Sequence, residues 1–389
     1  MSNDFQSQTR ISVGWMASGF VGRPASGTAY VSWKIIEQFL MKYSHEFEVV
    51  LFTKNTLETE LATDHPLLRN ATIIQLPAVS GKLLRSSRQY FKYSKSTDKK
   101  IDFLFFSVAR VYPFYWKFPA KKFISIFHAA GDVTVKGEKF VLSKHIYNLI
   151  NKLQWKHFDA VIAVSEFARN EIIQNYGVAA AAVRIIPPGV DSFLQDLPIK
   201  PEPIQEGSRF VAIIGRWQGF KNVEFACSVM RELNLELSSP IKTILVGRSN
   251  VYGREKVLKE ISMHPQGQIT TIEYLEPGEL MWLYKNADLV IVPSLNEGFG
   301  MPSFEAYAGE ANLLVHTGTP ASTILRGQKG VYACDMQDFN LALSTVKTIL
   351  SEQNIRHYGQ RSQFIQDKKL HWSDFAERYA DLIREQSWY

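Results

Sequence analysis

Strand and helix alternate along this chain in a way that implies an α/β protein of two doubly wound domains. Three features carry that reading. Short apolar runs and amphipathic stretches alternate over most of its length, the pattern of strand–helix–strand units. A chain of 389 residues has room for two domains of roughly 150 to 200 residues, each with its own core. A proline-rich polar stretch at residues 198–207 interrupts the alternation near its middle and reads as a linker. The expected bounds are 1–197 for the first domain, 198–208 for the linker, 209–370 for the second domain and 371–389 for a terminal helix.

Residues 10–14 begin the first strand. A loop containing Gly19, Gly22 and Gly27 follows, then an apolar helix to about Tyr43 and a strand at 48–53. This is a βαβ unit. Its loop matches neither common phosphate fingerprint. Gly22 and Gly27 have P-loop spacing, but Thr28 stands where lysine is required. Gly14, Gly19 and Gly22 do not give Gly-x-Gly-x-x-Gly. A glycine loop at the carboxyl end of a first strand either approaches a ligand or is a plain tight turn.

Between residues 82 and 100 there are seven basic residues and one acidic residue, Asp98. Arg85, Arg88, Lys92, Lys95 and Lys99 recur at spacings of three and four, with Leu83, Tyr90 and Tyr93 roughly opposite. The pattern predicts a basic amphipathic helix. Its cationic face suits anionic lipid headgroups or a lipid-diphosphate acceptor, or it is the solvated side of a core helix. Aromatic residues crowd 103–127, including Tyr112, Phe114, Tyr115 and Trp116, and favour an acceptor surface. A strand at 122–127 ends at His128, where open α/β sheets place ligands. A helix over about 143–157, a strand at 159–164, a helix to Tyr176 and a short strand at 184–187 complete the domain.

The second domain opens with a strand at 209–214, then Gly215, Arg216, Lys221 and Asn222, and a helix to Leu233. Strands at 241–246 and 269–274 and a helix at 277–285 lead to the most informative stretch, residues 287–309. A continuous apolar run at 287–292 reads as a buried parallel strand. Gly298 and Gly300 let backbone approach a ligand. Pro302 suits a first helical position, and the N–H groups of residues 301–304 form an anion site at the positive helix end. Glu297 and Glu305, eight positions apart, bracket that site. Carboxylates repel phosphate but accept hydrogen bonds from sugar hydroxyls on either side of a diphosphate. Arg216 and Lys221 follow a strand of the same sheet, and a guanidinium fork with an ammonium point charge suits a diphosphate leaving group. A strand at 312–316 and a terminal helix at 373–389 finish the pattern.

Composition excludes several classes. Hydrophobic content of 46% and charged content of 21% are ordinary for a globular protein. Two cysteines, Cys227 and Cys334, rule out a disulfide framework, and no Cys/His spacing suggests a metal. No apolar run reaches a membrane-spanning length, and the amino-terminal residues lack a signal-like core. A reduced cytoplasmic setting is expected, with a peripheral place on the inner face of the cell membrane as an option. The missing dinucleotide fingerprint disfavours a dehydrogenase. Basic residues confined to one local face, without a recognised module, disfavour nucleic-acid binding.

The stretch 297–305 matches the Glu-x7-Glu motif, and the chain resembles the retaining glycosyltransferases of family 4, group 1 type. Gly215-Arg216 to Lys221-Asn222 matches that family's diphosphate pair. The stretches 159–166, 188–191 and 284–288 match its other landmarks. The resemblance implies the GT-B fold: two Rossmann-like domains facing across a cleft, donor held by the second, acceptor by the first, last helix returning to the first. It implies that Glu305 binds the donor ribose and that Glu297 holds the transferred sugar. Arg216 and Lys221 neutralise the diphosphate, assisted by backbone at Gly298, Phe299, Gly300 and Met301. Gly27 brings the first-domain loop to the phosphates, the Leu275 backbone meets the base, and His128 stands near the reacting sugar. A buried structural histidine, or Asp132 in its role, is the alternative for His128. The sequence departs from the family where Glu310 and Asn312 replace a glycine and a proline, leaving Gly309 to end the motif helix. Ala129 and Ala130 also follow His128, where an acidic residue or glycine is usual.

The expected activity is transfer of a mannose- or glucose-type hexose from a GDP- or UDP-sugar to a glycan or polyprenyl-diphosphate-linked acceptor, with retention. Surface polysaccharide or lipopolysaccharide synthesis is the expected setting. No cofactor and no metal are expected, since no Asp-x-Asp occurs and aligned cations take that role. Two other readings stay open: a sugar synthase or phosphorylase with a small phosphorylated acceptor, and a degenerate transferase that only binds partners.

Overall fold

A computed structural model describes residues 10–16, 27–53, 69–77, 85–106, 115–128, 149, 152–191, 196–205, 207–249, 253–351 and 360–387. The chain divides into two compact units, Met1–Pro188 with Trp372–Tyr389, and Gly189–His371.

The first unit is built on seven parallel strands: β1 (Ser12–Met16), β2 (Glu48–Thr53), β3 (Thr72–Gln75), β4 (Ile101–Phe106), β5 (Ala120–Phe127), β6 (Ala160–Ala163) and β7 (Val183–Ile185). Their order is β3-β2-β1-β4-β5-β6-β7. Helices α1 (Gly27–Tyr43), α2 (Arg85–Ser96) and α3 (Glu166–Tyr176) accompany them. Every residue of β1 is buried, as a central parallel strand covered on both faces requires. Trp15 of β1 lies 4.8 Å from the Phe39 ring of α1 and stacks at 4.9 Å on Phe105 of β4. Phe105 in turn meets Tyr379 of the chain's last helix, Trp372–Ser387. That helix packs along α1, and Arg384 grips both carboxylate oxygens of Glu46 at 2.8 and 2.6 Å.

The aromatic tract expected to form an acceptor surface is mostly core. Phe103, Phe105, Phe106, Tyr115, Phe118 and Phe123 are buried, and Tyr115 stacks on Phe158 at 4.5 Å. β4 lies inside the sheet, so its bulky residues fill both layers instead of facing water. Trp116 is the exception and is exposed. Tyr112 and Phe114 lie outside the described residues.

The second unit holds six parallel strands: β8 (Phe210–Ile214), β9 (Lys242–Val246), β10 (Ile269–Ile272), β11 (Leu289–Val292), β12 (Leu313–His316) and β13 (Val331–Cys334). Their order is β10-β9-β8-β11-β12-β13. Winding runs outward in both directions from the β8/β11 pair, and the crevice at such a reversal is where doubly wound sheets bind ligands. Helix α4 (Val223–Glu236) presses Ala226, Cys227, Met230 and Leu233 onto the sheet. The remaining helices are α5 (Arg254–Ser262), α6 (Pro277–Asn286), α7 (Met301–Ala308), α8 (Pro320–Ile324), α9 (Phe339–Ser351) and α10 (Gln360–Asp367).

The expected boundary at 198–208 is displaced. The division falls after Pro188, and Val190, Asp191 and Ile199 bond within the second unit. Val190 donates its N–H to the Leu370 carbonyl at 2.8 Å, Asp191 meets His371 at 2.9 Å, and Ile199 donates to the Gly278 carbonyl at 3.0 Å. Proline-rich sequence marks irregular backbone, but its remaining N–H and C=O groups still find partners.

Candidate active site

The loops after β8 and β11 meet at the reversal point. Gly215 donates to the Val246 carbonyl at 3.0 Å and Trp217 to that of Arg248 at 3.1 Å, holding the β8 loop against β9. A 3-10 turn at Gly219–Lys221 then leads into Asn222 at φ 54°. The Asn222 amide secures this left-handed corner by donating to the Met336 carbonyl at 2.8 Å. From the other loop, Leu295 donates its N–H to the Phe220 carbonyl at 2.8 Å. That bond sets Lys221 beside Glu297. Lys221 Nζ lies 2.6 Å from Glu297 Oε1, and the two side chains are only 17% and 13% exposed. Partial withdrawal from water strengthens such a pair and fixes both groups. Lysine has three N–H donors and a carboxylate two oxygens, so each keeps capacity for a ligand. Arg216, on the same loop, is half-buried.

Motif helix α7 begins at Gly300, whose φ of 92° favours glycine. Phe299 anchors the turn by stacking on Phe304 at 4.3 Å. The anion site expected from the N–H groups of 301–304 is smaller than that. Ser303 turns its N–H to the Gly300 carbonyl at 2.9 Å, Phe304 donates to the same oxygen at 3.4 Å, and proline has no N–H. The tight first turn consumes donors that a regular helix start leaves open. In the turn before it, Phe299 and Gly300 are buried and Gly298 and Met301 half-buried.

Glu305, half-buried in α7, sits against Tyr284 of α6. Burial raises its carboxyl to about 7, with the nearby Tyr284 hydroxyl pulling the other way. The helix ends differently from the sequence expectation. Gly309 has φ −74°, and Glu310 takes the left-handed position at φ 67°. Glu310 donates to the Tyr307 carbonyl and Ala311 to that of Ala306, both at 3.0 Å, the double closure of a Schellman end. Gly309 is required for space instead: an added Cβ would stand 2.7 Å from Tyr284 Cβ. Arg361 of α10 reaches the Tyr307 and Ala311 carbonyls at 2.9 and 2.8 Å and holds this end in place.

Lys221 and Glu297 are thus brought together, and Gly298, Phe299, Gly300 and Met301 follow Glu297 directly in the chain, while Arg216 lies on the β8 loop and Glu305 in α7, all in the second unit. Leu275, also in this unit, is buried between β10 and α6. His128, half-buried at the end of β5, and Gly27, the first residue of α1, belong to the first unit. Along α2, Arg88, Lys92 and Lys95 are exposed while Gln89, Tyr90 and Tyr93 are buried; Arg85 is its first residue. Lys99 is not part of that face. The helix ends at Ser96, and Lys99 pairs with Glu48 of β2 at 2.7 Å. Tyr284 was missed by sequence reasoning, as were Ser294 and Asn296. The Ser294 hydroxyl and Asn296 Oδ1 are buried beside Glu297 with no hydrogen-bond partner among the described residues. A polar pair inside an otherwise apolar strand-to-loop junction is the signal that could have found them. A cavity of about 330 Å³ opens one strand away, beside Thr317, Ser322, Arg326 and Tyr332.

The model of the glycosyl transferases group 1 family matches residues 195–368, and that of glycosyltransferase family 4 matches residues 38–192. The chain belongs to the group 1 glycosyltransferases of the family 4 type. It is 24% identical to the serotype-specific mannosyltransferase WbdA of Escherichia coli, over 60% of this chain and 29% of that protein. It is also 24% identical to the D-inositol 3-phosphate glycosyltransferase of Salinispora arenicola, over 56% of this chain and 52% of that one. The chain thus spans about half or less of these relatives' length. Among solved structures it is similar to sucrose-phosphate synthase from Thermosynechococcus elongatus, with TM-score 0.72, 17% identity, and 97% and 99% of the two chains covered. Anabaena Alr3699/HepE in complex with UDP-glucose gives TM-score 0.69 at 13% identity, covering 96% and 99%. These likenesses establish the GT-B fold.

Proposed function

We propose that this protein is a retaining hexosyltransferase taking a mannose- or glucose-type sugar from a GDP- or UDP-hexose to a hydroxyl of a glycan or lipid-linked acceptor, without a metal ion. The observation that carries this reading is the Lys221–Glu297 pair, joined at 2.6 Å across the reversal point of the second sheet. Lys221 offers its remaining N–H donors to the diphosphate, with Arg216 beside it. Glu297 offers its second oxygen to the sugar hydroxyls. The turn 298–301 supplies backbone N–H between them, and Glu305 receives the ribose hydroxyls. As the bond from the anomeric carbon to the diphosphate breaks, its electron pair moves onto phosphate oxygen. Lys221 and Arg216 meet that growing charge in place, with little reorganisation. His128 and Gly27 are the first unit's contributions, near the reacting sugar and the phosphates.

The name of the E. coli relative, a mannosyltransferase, supports a mannosyl donor, and the ligand of the Anabaena neighbour supports a nucleotide diphosphate sugar. A thermal-shift panel of nucleotides and nucleotide-sugars tests the donor site. A ligand at a hundred times its dissociation constant adds about 2.7 kcal/mol of stability. GDP- or UDP-hexoses should raise Tm in the wild type and lose that effect in Lys221→Ala. No shift from any nucleotide diphosphate sugar would overturn the reading. The anomeric configuration of the product, read by NMR, tests retention.

A further inference from the structure

A series of side-chain-to-backbone bonds runs from the end of β12 to the corner that carries Lys221. His316 is the last residue of β12 and pairs with Cys334 of β13, the edge strand of the second sheet. Its side chain is only 12% exposed. Met336, two residues past β13, donates its N–H to His316 Nδ1 at 3.0 Å. The carbonyl of the same residue accepts from the Asn222 amide at 2.8 Å. Met336 is thus held through both its backbone groups, and its side chain is buried. The Thr319 hydroxyl donates to the His316 carbonyl at 2.8 Å, so the backbone of His316 is fixed as well.

Asn222 stands at the amino end of α4, where an asparagine side chain ordinarily accepts from the first N–H groups of the helix. It makes no such bond. Its amide crosses to Met336 instead, and its backbone takes φ 54°, a left-handed value. This corner follows Lys221 directly and turns the chain from the 3-10 segment into α4. Holding it therefore fixes the point from which Lys221 Nζ reaches Glu297 Oε1 at 2.6 Å. A backbone N–H can only donate, so His316 Nδ1 must accept and carries no proton. Burial favours that neutral imidazole and pushes it below its ordinary value, against the pull of the Asp335 carboxylate 3.7 Å away and of the Cys334 backbone. Among the described residues, no other charged group acts on the ring. We infer that His316 is a positioning residue for the donor site: through Met336 and Asn222 it holds the corner from which Lys221 meets Glu297. Its consequence for binding rests on the proposed function, but the linkage itself is readable without a donor.

Acylation of lysines in the native full chain, read residue by residue by mass spectrometry, reports the linkage with no ligand present. Lys221, paired and mostly buried, should react slowly in the wild type. His316→Phe keeps a ring but removes the acceptor, leaving a buried N–H unsatisfied, and should raise the Lys221 rate about tenfold. His316→Asn restores an acceptor oxygen at the same chain position and should return the rate to that of wild type. Asn222→Gly tolerates the left-handed corner, lacks the amide and should also raise the rate, so the linkage is tested even where His316→Phe does not fold. In the Asn222→Gly background, His316→Phe should add nothing, because both changes cut one series of bonds.

Donor affinity should follow the same order. Binding of GDP-mannose or UDP-glucose, whichever the wild type takes, should be about tenfold weaker in His316→Phe and normal in His316→Asn. Protonation of Nδ1 removes the acceptor, so the tie is complete at neutral pH and is lost as pH falls. From about pH 7.5 to about pH 5, wild-type affinity should therefore fall further than that of His316→Asn, while Glu305 titrates alike in both. Unchanged Lys221 labelling in both His316→Phe and Asn222→Gly overturns the inference. So does a lower melting temperature in His316→Phe with labelling and donor affinity intact, which a purely structural histidine would give. Failure of His316→Asn to restore the wild-type rate overturns the role of Nδ1. If neither nucleotide-sugar binds the wild type, the donor reading falls and labelling alone decides the linkage. If one binds and His316→Phe changes nothing, the donor reading stands and the positioning role is refuted.

Discussion

The two units share one winding pattern and treat charge in opposite ways. In the second unit, charged groups turn inward. Lys221 pairs with Glu297 in a loop largely withdrawn from water, and Arg361 lies buried against the Tyr307 and Ala311 carbonyls. In the first unit, the cations of α2 stay in solvent, while buried aromatic rings fill the sheet beneath. The difference follows from what each can recognise. A partly buried pair holds fixed geometry and can discriminate one small ligand, because misplaced charges there cost several kcal/mol. Exposed lysines on flexible stems attract any anionic surface and select weakly.

Breaking the inward arrangement should cost the most. Lys221→Ala removes the cation aimed at the leaving group and should lower turnover by about 10² to 10³, or about 3 kcal/mol of barrier. Steady-state kinetics with the identified donor check it. Lys92→Ala, its outward counterpart, should leave turnover on a soluble acceptor unchanged. Near-normal turnover in Lys221→Ala would dissolve the contrast between the units.

Glu305 sharpens the same comparison through pH. Its carboxyl is raised by burial to about 7, so the folded chain prefers the protonated form. The stability this contributes is complete below the ordinary carboxylate value and is lost as pH rises through about 7. Glu305→Gln should therefore melt higher than wild type at about pH 8, by on the order of 2 kcal/mol, and show no gain at about pH 4. Equal melting at both pH values would mean the carboxyl is well solvated. The same variant should lose donor affinity, since an amide is a poorer acceptor for ribose hydroxyls.

The smallest effect belongs to the helix end. Glu310 holds a left-handed backbone at φ 67°, a conformation that costs a side-chain residue about 1 kcal/mol. Glu310→Gly should raise stability by about that amount in chemical denaturation, with turnover unchanged. A loss of stability would show that the Glu310 side chain contributes more than its backbone costs.

Much of the second unit was legible because its signals are local. An apolar run, three glycines, two prolines and two glutamates eight positions apart fall within residues 287–309, and the structure places strand β11, the Gly300 turn and α7 there. β4 was harder. Ile101, Phe103, Leu104, Phe105 and Phe106 are as apolar as a binding surface, and only neighbouring strands on both sides show that they are core. Charge-rich α5 and edge strand β13 were missed because neither has a long periodic apolar pattern.

Residue order alone determined the alternation of strand and helix, the glycine turn before α7 and the spacing of Glu297 and Glu305, because each depends on periodicity or on backbone freedom within a few residues. It did not determine that Lys221 would meet Glu297, 76 positions away, or that Ser303 would spend its N–H on Gly300. It also left open that Phe91 and Trp116 would stay in solvent while their aromatic neighbours were covered. Those outcomes were decided by strand order and by the packing of helices on the sheets. Such long-range contacts depend on which elements become neighbours, and no local pattern encodes that.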